Sequence, residues 1–486
     1  MAFVSKRRTG AAAVAVLATA VLVGFGTGLH PLWPLLWLAP IPALLYAAHA
    51  SWRGAALAAF LGWLLGSLNM AGYYGHDLQM PLPVVASILV PTALVFALAV
   101  LLFRALFQRG AIWSALIAAP ALWVSVEYVV NLSSPHGTAG SLAYSQLDFL
   151  PFLQLASVTG PWGMSFLLLL LPTAVAIAIL HRRAQGQAWR VLAASVALVG
   201  AVLVFGAWRL HTPPKGTLVN VGLVASDYRG NANPAHGAAA WGLLHQYAQK
   251  AVGLAAEGAQ AIVLPEKLVV LPETEVANAD ALFQAVADNS GAVVVVGAIL
   301  VMPEARLNSA RVYTPSAPVQ RYDKHHMLPA FESQFTPGTA LILLSEASGT
   351  WGVEICKDMD FTPLSRKYGR ARTALLLVPA WDFVVDRWSH GHMAIMRGVE
   401  SGFAIVRSAK QGYLTVSDSR GRVLAETTSD AAPLATLLAE VPVAHSPTLY
   451  ARWGDWFAWL ALALLALVLL QLARVRGRIS DPPASR

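Results

Sequence analysis

The sequence predicts a helical membrane bundle of about eight spans joined to an α/β domain held outside the cytoplasm. Three observations predict it. Hydrophobic residues make up 56% of the chain and charged residues only 12%, with a mean hydropathy of +0.56; soluble domains carry about 25% charged residues. Apolar runs long enough for about 30 Å of hydrocarbon recur along the first 210 residues and once more near the end. Between them lies a long stretch whose pattern alternates between strand and helix periods.

The apolar runs are 11–28, 32–48, 54–72, 84–107, 112–130, 162–180 and 191–208, followed after the patterned stretch by 453–472. Lys6, Arg7 and Arg8 before the first run fit a signal peptide, but seven further apolar segments favour a retained helix. The basic residues then orient the bundle. Lys6–Arg8, Arg53, Arg104, Arg109, Arg182, Arg183, Arg190, Arg474, Arg476 and Arg478 all fall on one side if the spans alternate, whereas loops 73–82 and 131–160 carry no Lys or Arg. Positively charged loops stay in the cytoplasm, so the patterned stretch faces out. The formal net charge of +8 is therefore explained by orientation, and no nucleic-acid partner is expected. Trp33, Trp162, Trp208, Trp453 and Trp456 near span ends fit either an interfacial belt or packing between helices. The expected organisation is a seven-span domain over 1–210, a domain over 215–445, a last span at 453–472 and a cytoplasmic tail over 473–486, disordered after Arg478.

Within 215–445, β-rich runs appear at 218–224, 261–264, 292–301, 374–378 and 403–407. Helical patterns occupy 236–256, 273–288 and 389–402. That alternation argues for a covered sheet. The segment 412–426, with 418–421 as its turn, adds an antiparallel hairpin and makes the sheet mixed.

Three segments place reactive side chains just past strands. Ile262-Val263-Leu264-Pro265-Glu266 holds a carboxylate on a rigid Pro turn, which suits a general base. Tyr322-Asp323-Lys324 continues to Pro329 and Glu332, and Gly352-Val353-Glu354-Ile355-Cys356 ends in the chain's one cysteine. A single cysteine forbids an internal disulfide and a Cys-rich metal site. It leaves two readings, an inert buried residue or a nucleophile.

These three segments resemble the Glu, Lys and Cys motifs of the nitrilase superfamily. Eight spans around such a domain, with Tyr144-Ser145-Gln146 in an outer loop and Met396–Gly402 leading into Ile405–Ser408, resemble the apolipoprotein N-acyltransferases of that superfamily. The resemblance implies an αββα sandwich with Glu266 as general base, Lys324 as transition-state stabiliser, Cys356 as nucleophile and Glu332 as organiser of the site. It implies an acyl chain passing from a phospholipid to Cys356, then to the α-amine of a lipoprotein's diacylglyceryl-modified N-terminal cysteine. No cofactor is required. It also implies a setting in the bacterial inner membrane, with the domain on the periplasmic side. The chemistry is coherent. A thiol with a pKa near 8.5 needs a base, and a nearby ammonium stabilises both thiolate and oxyanion. The sequence departs from the family pattern at Lys357 and Asp358, where an aromatic residue and Glu are usual, and at Lys267, where a small residue is usual.

Other residues carry competing readings. Glu273, in a second Leu-Pro-Glu, is better explained as an acidic partner of a helix N-terminus than as the base. His325, His326, His390 and His392 lack acidic partners at metal-ligand spacing, so no metal is expected. Glu127 within an apolar run is either functional or hydrogen-bonded between helices. Tyr144 and Gln146 are loop-packing residues or substrate contacts. Trp381 and Trp388 are an acyl-chain lid or membrane-surface anchors. Two further readings of the whole chain stand beside the transferase: a membrane-anchored amidase or thioester hydrolase, and a catalytically silent lipoprotein-binding relative.

Overall fold

A computed structural model describes residues 2–181, 186–227 and 234–480. Arg182, Arg183 and residues 481–486 lie outside the described residues, as do the side chains of Lys6, Arg7, Arg8, Arg476 and Arg478. The chain divides into two compact units: Met1–Ser133 with Gly140–Ala207 and Asp455–Arg486, and Ser134–Ala139 with Trp208–Gly454.

The first unit is helical. Among the described residues six helices are long and apolar enough to cross a membrane: Thr9–Gly26, Leu82–Phe107, Ile112–Ser133, Pro161–Leu180, Gln187–His211 and Trp456–Arg474. The expected spans at 32–48 and 54–72 take another form. The first is two short helices, Trp33–Leu36 and Pro40–His49, each with a proline in its opening turn. Proline has no N–H and clashes with the preceding turn, which favours a helix start at each of these positions over one continuous helix. The second is Trp52–Ser67, about 24 Å long at the α-helical rise, and it gives way to a 3-10 turn at Leu68–Met70 and a wider π-helical turn at Tyr73–Asp77. Its Gly66 lies against Val23, where an added Cβ would sit 2.6 Å from the Val23 Cβ. Small residues of this kind let helix backbones approach in a membrane, where packing replaces the hydrophobic drive.

Glu127 is bound within this unit, accepting the Leu142 N–H at 3.0 Å. Gln146 accepts from Trp37 Nε1 at 2.8 Å and donates to the Trp33 carbonyl at 3.0 Å. Tyr144 is buried beside it. Trp162 is fully buried and donates to Asp455 at 2.9 Å, so this tryptophan packs between helices.

The second unit is a two-sheet sandwich. Its strands are β1 (Thr217–Ala225), β2 (Ala261–Val263), β3 (Val270–Pro272), β4 (Val293–Val301), β5 (Arg306–Tyr313), β6 (Gln320–Asp323), β7 (Leu343–Glu346), β8 (Gly349–Val353), β9 (Thr373–Trp381), β10 (Ala404–Lys410), β11 (Tyr413–Ser417), β12 (Val423–Thr428) and β13 (Ala435–Val443). One sheet runs β13-β1-β2-β4-β5-β6 with β3 paired to β4; the other runs β12-β11-β10-β9-β8-β7. Both mix parallel and antiparallel pairs, and β11 and β12 form the expected hairpin.

Strand periodicity sorts the side chains. Val219, Val221, Leu223, Leu375, Leu377, Ala404 and Val406 meet in a core between the sheets. The alternate residues face helices. Val224, Ile262 and Val294 pack with Leu244, Tyr247 and Phe283 of helices Gly237–Ala256 and Glu273–Ser290. Leu376, Val378 and Ile405 pack with Leu364, Tyr368 and Ala394 of helices Thr362–Arg370 and Arg387–Ser401. Strands buried on both faces read as unbroken apolar runs, which is why 292–301 and 374–378 were legible. The layers are αββα. Each fully buried Val or Leu contributes about 1.5–3 kcal/mol.

Candidate active site

Glu266 leaves the end of β2 in one sheet, and Cys356 leaves the end of β8 in the other. The end of β9 fastens both. The Glu266 N–H donates to the Ala380 carbonyl at 3.2 Å, and Cys356 Sγ donates to the Trp381 carbonyl at 3.3 Å. Gly297, midway along β4, makes room for the turn that carries Glu266. A Cβ there would stand 2.3 Å from the Pro265 oxygen and 2.6 Å from the Glu266 Cα.

Lys324 follows β6, and its Nζ donates to Glu266 Oε1 at 2.9 Å and to Glu332 Oε2 at 2.8 Å. Asn308 on β5 donates to the same two carboxylates at 2.6 and 3.0 Å. Glu332 is also paired with Lys267 and accepts the Leu328 N–H at 2.8 Å. Glu266, Asn308, Lys324 and Glu332 are each no more than 2% exposed. Such a charged group is tolerable in the interior only because its members neutralise and hydrogen-bond one another.

The electrostatics follow from this arrangement. Burial alone would lower the Lys324 pKa, but Glu266 and Glu332 override it and hold the ammonium protonated well above its ordinary value. Burial alone would raise Glu332, but Lys324 and Lys267 hold it well below the usual carboxylate range. Burial pushes the Cys356 thiol up and Glu266 adds to the rise, while Lys324 opposes it. Burial thus favours the thiol form, which requires a base before it can serve as a nucleophile.

Cys356 is half-buried and has φ +44°. A side chain in this left-handed region costs about 1–2 kcal/mol, and such local strain clusters at reactive sites. The conformation turns the chain sharply from β8 into the helical turn Cys356–Asp360. Asp358 in that turn is fully buried and holds the lysine-bearing loop. It accepts the Tyr322 hydroxyl at 2.7 Å, the His325 and His326 N–H groups at 3.1 and 2.8 Å, and His326 Nδ1 at 3.0 Å. Lys357 is directed elsewhere, to Asp360 Oδ2 at 3.0 Å and His136 Nδ1 at 3.4 Å.

Trp381 contributes its carbonyl to the thiol, and its ring faces Lys410 Nζ at 3.7 Å and Lys267 Nζ at 5.0 Å. Trp388 lies in the first turn of the Arg387–Ser401 helix, stacked on His392. Behind Trp381, Asp382 receives the Arg407 guanidinium, with Nη1 at 2.8 Å, and His390 stands between Asp382 and Asp386. Burial alone would lower His390, but the two carboxylates raise it well above its ordinary value. Glu273 is exposed at the first position of the Glu273–Ser290 helix, as expected of a helix-terminus partner.

Comparison with known proteins gives this geometry a family. Residues 11–174 match the model of the apolipoprotein N-acyltransferase N-terminal domain, and residues 230–449 match the carbon-nitrogen hydrolase model. The apolipoprotein N-acyltransferase of Geobacter metallireducens is 30% identical, over 87% of this chain and 88% of that one. The chain belongs to the apolipoprotein N-acyltransferase family. The Vibrio vulnificus apolipoprotein N-acyltransferase is 24% identical over 93% of this chain and 94% of its own length. Among solved structures, an amidase from Nesterenkonia sp. matches 47% of this chain and 92% of that chain at 20% identity, with a TM-score of 0.40. The protein is thus a membrane enzyme of the carbon-nitrogen hydrolase and N-acyltransferase family, with a nitrilase-like domain.

Sequence reasoning missed Asn308, Gly297, Lys410 and Asp382. Two of them left a local signal. Gly297 interrupts a Val-rich strand, where glycine marks a close backbone approach. Asn308 sits inside β5, although asparagine is a poor strand former. Lys410 and Asp382 enter through strand register, which no local window reveals.

Proposed function

We propose that this member of the family carries an acyl group on Cys356 and delivers it to an amine, with Glu266 as proton carrier and Lys324 as stabiliser of the oxyanion. The observation that carries this reading is the convergence of Lys324 with Glu266 and Glu332, next to a thiol fastened to the same strand end as Glu266. In the first half-reaction the Cys356 proton passes to Glu266 as sulfur attacks the ester carbonyl carbon of a phospholipid. The tetrahedral oxyanion forms beside the Lys324 ammonium. It collapses by breaking the carbon–oxygen bond, and the leaving glycerol oxygen takes the proton from Glu266. A lysophospholipid departs and a thioester remains. In the second half-reaction the α-amine of a diacylglyceryl-modified N-terminal cysteine attacks the thioester. Glu266 takes its proton and returns it to the departing sulfur, leaving an amide. Glu332 and Asn308 position the pair, and no cofactor enters either step.

Exposed Phe331, Val384 and Val385 suit lipid substrates, and Phe331 packs edge-on against Phe383, two residues beyond Trp381. The distribution of Lys and Arg supports a bacterial cytoplasmic membrane setting with the domain over 215–445 on the periplasmic side. The short helices at 33–49 and 52–67 would then complete seven crossings before the domain, with 453–472 as the eighth.

The test is intact mass spectrometry of the full chain after incubation with a defined phospholipid. An added acyl mass that hydroxylamine removes, absent from Cys356→Ser, supports the first half-reaction. Its discharge onto a diacylated lipopeptide supports the second; discharge only to water makes the enzyme a hydrolase. A folded wild-type protein that never gains the mass refutes the reading.

A further inference from the structure

We propose that Lys410 is a positioning residue of the acylation site, bracing the turn at Lys267 and the face of Trp381 so that Glu266 and Cys356 stay in register. This rests on the reading that Cys356 becomes acylated.

Register puts Lys410 there. In β10, Ala404 and Val406 point into the core between the sheets, and Ser408 reaches across it to the Val224 carbonyl at 2.8 Å. With a period of two, Lys410 enters the same inter-sheet space. It is the last residue of the strand, opposite Trp381 in the parallel ladder with β9. Its Nζ donates to the Lys267 carbonyl at 3.0 Å and sits 3.7 Å from the Trp381 ring centroid. The side chain is 2% exposed.

Both partners of Lys410 adjoin the chemistry. Lys267 is the residue after Glu266 and has φ +49°, a left-handed turn that a hydrogen bond to its carbonyl helps to hold. Trp381 lends its carbonyl to the Cys356 thiol. One side chain therefore grips the base-bearing turn of one sheet and the nucleophile-bearing edge of the other. The groups that face it are the Lys267 ammonium, the Glu266 carboxylate and Asp227 just beyond β1. Burial, with Lys267 adding to the effect, pushes Lys410 down to about 7 against the pull of the two carboxylates. Below that value an additional ammonium faces Glu266 and Lys267 and opposes transfer of the thiol proton to the carboxylate. Above it Lys410 is a neutral donor with the same hydrogen bond.

The experiment measures the rate of acyl-mass gain from phosphatidylethanolamine between pH 5.5 and 9 for the full-length protein and its Lys410→Met and Lys410→Arg variants. Wild type should show a rate limb centred near pH 7. Lys410→Met should lose that limb and fall roughly ten- to hundredfold at pH 8, in line with loss of alignment at the reacting atoms. Lys410→Arg, charged throughout, should stay on the low-pH plateau. Melting curves of all three separate loss of fold from loss of rate. A wild type that acylates with the same pH dependence as a folded Lys410→Met overturns the proposal. A wild type that never acylates instead overturns the reading beneath it.

Discussion

Replacing Asp358 by Ala should loosen the site from behind. Its carboxylate accepts the Tyr322 hydroxyl and the His325 and His326 N–H groups, all within 3.1 Å. Hydrogen bonds to a charged group contribute about 1.5–3 kcal/mol each, so three at the lower bound amount to about 4.5 kcal/mol. For a domain of this size that corresponds to a fall in Tm of roughly 10–15 °C. Lys324 immediately precedes His325, so a shift of about 1 Å in the freed loop should slow acylation about a hundredfold. Asp358→Asn is the control. Its oxygen retains the two backbone donors and its amide can donate to the Tyr322 hydroxyl, so the expected loss is about 1 kcal/mol and less than tenfold in rate. Thermal melts of the detergent-solubilised protein, combined with acyl-mass kinetics, read both quantities. If Asp358→Ala melts and acylates like wild type, the carboxylate does not hold the lysine loop and this reasoning fails.

Gly297→Ala should leave the sandwich folded yet cut acylation at least tenfold, because the new methyl displaces the Pro265–Glu266 turn; melts and acyl-mass kinetics on the same sample check it. Arg407→Met leaves the buried Asp382 carboxylate only the more distant His390 and should cost about 3 kcal/mol, the lower end for breaking a buried pair, measured by denaturant unfolding. Glu332 is held well below the usual carboxylate range. Its stabilisation is therefore present above the ordinary value of 4.5 and is lost as pH falls through its lower folded value. Wild type should accordingly lose stability on acidification below pH 4.5 more steeply than Glu332→Gln in pH-dependent melts. Lys357→Ala, whose ammonium is directed to Asp360 and His136, should change the acylation rate less than threefold.

What the sequence revealed tracks the range of the interactions involved. Glu266 and Cys356 were legible as candidates because each follows a short apolar strand, and the runs 292–301 and 374–378 were legible because both faces of their strands are buried. β6 and β7 were not, since four residues with mixed burial leave no clear period. β13 alternates weakly along a sheet edge and pairs with β1, more than 200 residues away in the chain. The second span looked continuous by hydropathy, but Pro34 and Pro40 divide it. Lys324 stood out as a reactive side chain just past a strand, and the resemblance supplied its role. Asn308 left only the weak signal of a poor strand former inside β5, and Lys410 became visible only once pairing brought β10 to the site.

In the proposed mechanism the base comes from one sheet and the nucleophile from the other, and both segments bond to carbonyls at the end of β9. On that mechanism the path of the thiol proton is set by the packing of the apolar core between the sheets. Leu377 and Val406, fully buried in that core, act as spacers in that sense. Trimming them should degrade turnover while the protein still folds, so drift in the core and drift in the chemistry are tied together.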